Sequence, residues 1–211
     1  MPISTTKTLL SIASTLIFAA SITGPLSQPA FAEETNYSGQ FLKGKAEVTA
    51  NPKGGKRYLV ARVLVNASPE SVWKSIHEER HKDPDLAYSK VIEEKGNHSI
   101  LEQKFDVLPV IGSSVCTLDQ EEIPLKRIDY HLIKSDRFKA MEGSWVITPY
   151  AGGKATVLEL TSYIDPGLAL PRFMIENVAK GKLERRVTNV KKASELHERQ
   201  LSAKNAQGKT Q

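Results

Sequence analysis

The sequence predicts an α+β fold, a curved antiparallel sheet of about six or seven strands wrapped around one long C-terminal helix. Three observations carry this. Residues 41–164 break into short strand-like runs separated by turn clusters. A single helix start, Ser68-Pro69-Glu70, interrupts them early. Beyond Pro171, apolar residues recur every three or four positions for about 30 residues, the period of one helix face.

The elements follow in order. Phe41 to Ala50 reads as a first strand, and Asn51-Pro52-Lys53-Gly54-Gly55 as the turn into Arg57 to Asn66, which is rich in valine and leucine. Ser68 then suits a helix N-cap, Pro69 the first helical position and Glu70 the positive helix end. Val72, Trp73 and Ile76 give that helix its apolar face. Arg80 to Ala87, with Asp83-Pro84, reads as a short helical or irregular connection. Further strand candidates are Lys90–Lys95, Ser99–Val107, Ser114–Glu122, Lys126–Ile133, Lys139–Thr148 and Ala155–Ile164. The links between them, Lys95-Gly96-Asn97, Pro109 to Gly112, Ile123-Pro124 and Ala151-Gly152-Gly153, are short enough to pair neighbours antiparallel. Asp165-Pro166-Gly167 ends the sheet. The final helix spans Pro171 to Leu201, with Ile175, Ala179, Leu183, Val187, Val190, Ala193 and Leu196 as its stripe. At 1.5 Å per residue it is about 45 Å long. Lys204 to Gln211 reads as frayed. A bent sheet around such a stripe can enclose a cavity.

Length and composition narrow the function. The 211 residues suit one well-buried domain. The single cysteine, Cys116, excludes an internal disulfide, a CxxC redox pair and a cysteine-rich zinc site. Mid-strand, it reads as a small buried apolar residue. Residues 1–32 have the three-part plan of a secretory signal peptide: Lys7, an apolar run from Leu9 to Ile22, and Ala30-Phe31-Ala32 before Glu33. That run falls short of the ~20 residues needed to cross a bilayer. The expectation is an exported chain, periplasmic or secreted, with residues 33–41 as lead-in, 42–201 as the domain and 202–211 as a polar tail.

The formal net charge of +5 is unevenly placed. Residues 33–179 carry 19 Lys and Arg against 21 Asp and Glu, whereas residues 180–211 carry 9 against 3. The basicity therefore belongs to the last helix, through Lys180, Lys182, Arg185, Arg186, Lys191, Lys192 and Arg199. Such a face is either ordinary solvated charge or a docking surface for an anionic membrane. Nucleic acid is not expected, because export and the lack of interleaved aromatics both argue against it.

At this point the residues resemble a family. Leu42-x-Gly44-x-Ala46-x-Val48 leads to Val63-x-Val65-Asn66-Ala67-Ser68-Pro69-Glu70-x-Val72-Trp73. Later come Gly143-Ser144-Trp145-x-Ile147-x-Pro149, then Tyr163-Ile164-Asp165-Pro166-Gly167 followed by Leu170-Pro171. In this order over residues 42–197 they resemble the START-like, or SRPBCC, superfamily of helix-grip proteins, with its polyketide cyclase/dehydrase and coenzyme-Q-binding types. The resemblance implies a helix-grip fold and a hydrophobic small molecule or lipid held between sheet and helix. It carries no shared catalytic motif, and fold does not settle function.

No catalytic set, phosphate loop or nucleophile elbow appears, and nothing calls for a cofactor or metal. The five histidines lack metal-ligand spacing; His77 and His81, four apart, read as solvated. Strand alternation puts Leu101, Gln103, Phe105 and Val107 on one face, and Ile128, Tyr130 and Leu132 on another. Met141, Gly143, Trp145 and Ile147 share a third, with Gly143 leaving room. The expected ligand-binding residues are Leu101, Gln103, Phe105, Tyr130, Met141, Trp145 and Ile147, with Phe173 and Met174 near the mouth. Tyr130 and Gln103 are the candidates for orienting a ligand carbonyl or donating a proton in an enol-type reaction. Alternatively they satisfy each other or the backbone. The expected function is ligand binding without turnover. The alternatives are a cyclase, dehydratase or isomerase, and a structural or partner-binding module.

Overall fold

A two-residue turn sets the first register. In the computed structural model, which describes residues 38–108, 112–168 and 171–207, β1 (Glu47–Lys53) and β2 (Lys56–Val65) pair with Lys53 opposite Lys56. Gly54 and Gly55, at φ 57° and 76°, take the left-handed conformation that such a turn needs and that glycine adopts without strain. The strand thus runs through Asn51-Pro52-Lys53, which sequence had assigned to the turn. Pro52 is tolerated because β1 is an edge strand. Phe41, expected in the strand, lies instead in a short helix, α1 (Gly39–Leu42), capped by Ser38. There it is buried with Leu64, Ala155 and Val157.

Helix α2 (Pro69–Glu79) begins as its residues dictate, with Ser68 as N-cap and Pro69 in the first turn. Glu198 reinforces the cap from the last helix, accepting bonds from Ser68 N (3.1 Å), Ser68 Oγ (2.8 Å) and Ser71 Oγ (2.7 Å). After a turn closed by Asp83, β3 (Leu86–Lys95) opens the far edge of the sheet. It is followed by β4 (His98–Leu108), β5 (Gly112–Ile123), β6 (Arg127–Ser135), β7 (Ala140–Tyr150) and β8 (Ala155–Asp165). The order across the sheet is β1-β2-β8-β7-β6-β5-β4-β3, all antiparallel. Eight strands form it, one for each of the eight strand candidates in the sequence, against the six or seven of the overall expectation. The crossing from β2 to the opposite edge is made by α2.

Helix α3 (Arg172–Gln207) has 36 residues, about 54 Å at 1.5 Å each. It runs past Leu201 and Lys204, so the polar tail is helical as far as the structure describes it. Leu183, Val187, Val190 and Ser194 are its buried line. That line passes through Ser194, whose hydroxyl bonds to Val190 O (2.7 Å), and Leu196 is left exposed. The main core joins α2 and α3 to the inner faces of β2, β6, β7 and β8 through residues such as Val63, Val72, Ile147, Leu158 and Val187. A second cluster, Leu101, Cys116, Leu118 and Met141, lies under the far half of the sheet. Cys116 is fully buried there, and desolvation pushes its thiol pKa up. Among the described residues no helix is long and apolar enough to cross a membrane. The leader at residues 1–32 and most of the 33–41 lead-in lie outside them, as do Pro109 and Leu170.

Candidate functional site

Between the two clusters, α3 and the sheet do not meet, and a cavity of about 230 Å³ remains. The strand register builds its walls. Leu101 stands opposite Leu118, Gln120 opposite Tyr130, Tyr130 opposite Gly143 and Ile128 opposite Trp145. Alternation then turns all these side chains to one face. Ile164 and Ser162 add β8, while Ile175, Ala179, Leu183 and Val190 close the helix side. The wall is mainly apolar, as small-molecule sites generally are. Leu168, Met174 and Val178 both line the cavity and are exposed, so they mark its mouth.

Of the residues expected at the site, Leu101, Gln103, Phe105, Tyr130, Met141, Trp145 and Met174 line the cavity. Ile147 does not. It faces the same side as Trp145, but one step along β7 the helices close over the sheet, and it is 3% exposed in the main core opposite Leu158. Phe173 is also outside, 65% exposed. Consecutive helical residues point about 100° apart, so Met174 and Phe173 cannot both face inward.

Tyr130 and Gln103 each have a protein partner rather than each other. Gln103 Nε2 donates to Ser89 Oγ (2.9 Å). The Tyr130 hydroxyl donates to Thr161 O (3.4 Å), with the Ser162 hydroxyl also in reach. Burial is the main cause that raises its pKa, so the phenol stays protonated and can donate but not serve as a base. Gly143 is what admits it: a Cβ there would lie 2.5 Å from the phenol oxygen and 2.1 Å from Thr161 O. The space left by Gly143 is thus occupied by Tyr130.

The sequence reading missed the polar end of the cavity. His77 and Arg80, expected in solvent or in an irregular stretch, project from α2 into the wall beside Gln120. His77 Nδ1 donates to Trp73 O (2.9 Å) and Nε2 to the Glu122 carboxylate (3.0 Å). Both partners are acceptors, so the protonated ring, with a donor on each nitrogen, is the form this geometry favours. The bond to Glu122 is the main cause that raises the His77 pKa, and the same bond lowers that of Glu122. Arg80 Nη1 donates to Gln120 Oε1 (3.3 Å), and its pKa is lowered by burial. The missed signal was helical spacing. Trp73, Ile76 or His77, and Arg80 follow i, i+3/4, i+7, one face of α2.

The basic face of α3 is partly spent within the molecule. Lys182 (3.2 Å) and Arg185 pair with Asp85, and Arg186 pairs with Asp83 (2.5 Å), tying the α2–β3 turn to the helix at the cavity rim. Lys191 bonds to Leu64 O (2.9 Å) and Glu195. Among the described residues, Lys180, Lys192 and Arg199 make no ion pair, and no group of three His, Cys, Asp or Glu could hold a metal ion.

An antiparallel sheet gripping a long helix around an apolar cavity defines the START-like, helix-grip class of ligand-binding domains. The chain belongs to the family described as polyketide cyclase / dehydrase and lipid transport, whose model matches residues 57–195. Among solved structures, it is similar to a STAR-related lipid transfer protein (fragment 25–204) from Xanthomonas axonopodis, at 12% identity and TM-score 0.59, over 71% of this chain and 93% of that one. A START superfamily protein from Mycobacterium smegmatis is 22% identical, with TM-score 0.55, over 68% and 98%. The Zhui aromatase/cyclase from Streptomyces sp. R1128 is 17% identical, with TM-score 0.54, over 68% and 93%. At these identities the likeness concerns the fold. No curated protein matches significantly in sequence.

Proposed function

We propose that this chain is an exported carrier that binds one hydrophobic small molecule or a slender lipid in the cavity under α3, without transforming it. The observation that carries the reading is the mainly apolar 230 Å³ cavity, walled by both halves of the sheet and the long helix. The structural neighbours named as lipid transfer proteins support it. Tyr130 and Gln103 already have protein partners, which speaks against a dedicated catalytic pair.

The volume limits the cargo. It lies just below the roughly 300–1,000 Å³ of typical small-molecule sites, which favours a compact ligand over a two-chain phospholipid. Exchange at an anionic membrane surface is supported by exposed Met174 at the mouth, by exposed Phe173 next to it on α3, and by Lys180, which makes no ion pair among the described residues, two turns further along. Mass spectrometry of organic extracts from the purified protein tests the reading. A stoichiometric apolar compound, recovered unchanged, is the expected result. Extracts without any such compound from protein that also fails to take up apolar probes would refute it.

A further inference from the structure

Arg80 puts a charge into the wall of a mainly apolar cavity without an internal counterion. Among the described residues no carboxylate lies within ion-pairing distance of it, and its Nε is enclosed with no hydrogen-bond partner. The acid whose charge acts on Arg80, Glu122, is already held by the His77 ring at 3.0 and 3.2 Å, and Gln120 donates to it as well. Of the other carboxylates in the cavity wall, Asp106 makes no ion pair with Arg80, and three are matched elsewhere. Glu79 pairs with Lys82 (3.0 Å), Asp83 with Arg186 and Asp85 with Lys182 and Arg185. The guanidinium is the cation left over. Its fixed fork is suited to a carboxylate, which it can hold by two parallel bonds. Neutral Gln120, already bonded to Arg80, and the Tyr130 O–H line the same cavity and add no competing negative charge.

We infer that the ligand is a small apolar carboxylic acid, bound as its anion with the carboxylate on Arg80 and the apolar body directed towards Trp145, Met141 and Leu118. This rests on the binding function proposed above and specifies its ligand class. Size agrees: taking about 20–30 Å³ per non-hydrogen atom, with water's share of liquid volume as the upper value, the cavity takes about 8–12 such atoms.

Calorimetric titration of the full protein with octanoate and with 1-octanol at neutral pH, where octanoate is ionised, tests it. The wild type is expected to bind octanoate at least as tightly as octanol. Arg80→Gln should weaken octanoate by about 10–100-fold and leave octanol within about twofold, the range expected for one hydrogen-bonded charge. Arg80→Lys, which keeps the charge but loses the fork, should retain part of the preference and stands in should the glutamine variant not fold. Weaker binding of octanoate than octanol by the wild type, or octanoate binding unmoved in both variants, would overturn the assignment while leaving a carrier of neutral ligands intact. If neither probe binds, the proposed function fails with it.

Discussion

Gly143→Ala is the smallest change with a large expected effect. The added methyl would meet Thr161 O at 2.1 Å, the Tyr130 hydroxyl at 2.5 Å and its ring carbon Cζ at 2.7 Å. Thr161 O belongs to the paired strand β8, so it can retreat only by distorting the β7–β8 ladder. Overpacking of this kind costs about 1–3 kcal/mol, and loss of the phenol's bond to Thr161 adds about 1 kcal/mol. At about 2–4 °C per kcal/mol for a chain of this size, melting followed by circular dichroism should fall by about 4–16 °C. Tyr130→Phe in the Gly143→Ala background removes only the oxygen contact. It should recover less than half the loss, since the carbonyl and ring carbon still collide. A Gly143→Ala protein melting within about 1 °C of wild type would refute the reasoning, because a backbone clash at the centre of a sheet cannot be that cheap.

Other expectations follow from the polar contacts. The raised His77 pKa stabilises the fold fully below the unfolded value of 6.5 and ceases to do so as pH rises through the folded value. The lowered Glu122 pKa stabilises above 4.5 and ceases to do so as pH falls through the folded value. Their joint contribution is therefore greatest between 4.5 and 6.5, and His77→Gln, costing about 1–2 kcal/mol there, should show a penalty in urea titrations that shrinks as pH rises through the folded His77 value. Glu198→Ala removes the acceptor for Ser68 and Ser71 at the start of α2. It should cost about 1 kcal/mol, lowering the melting temperature by about 2–4 °C, with an unchanged far-ultraviolet spectrum checking that α2 persists.

Much of the fold was legible because local chemistry and global architecture agreed. Ser68-Pro69 could only start a helix, the alternation around Gln103 and Tyr130 assigned the inner face, and the stripe from Ile175 to Val190 pointed to α3 packing on the sheet. What escaped depended on tertiary context. Phe41 is an aromatic beside a strand-like pattern, yet it covers the outer face of β2 and β8 from a helical turn. Ile147 and Trp145 share a face, and only the point where the helices descend separates core from cavity. Ion pairing of Lys182, Arg185 and Arg186 with Asp83 and Asp85 spans about 100 residues of sequence, which no local pattern encodes. Arg80 sits just ahead of the Asp83-Pro84 break, where local sequence signals a chain turn more strongly than the helix face that ends there.

The most direct test of the central claim is whether the space under α3 is where an apolar ligand goes. Calorimetry with 1-octanol should show one saturable site in the wild type. Leu118→Trp, which places an indole in the cavity, should abolish that site at an unchanged fold. Equal octanol binding by the two proteins, each folded, would contradict the account.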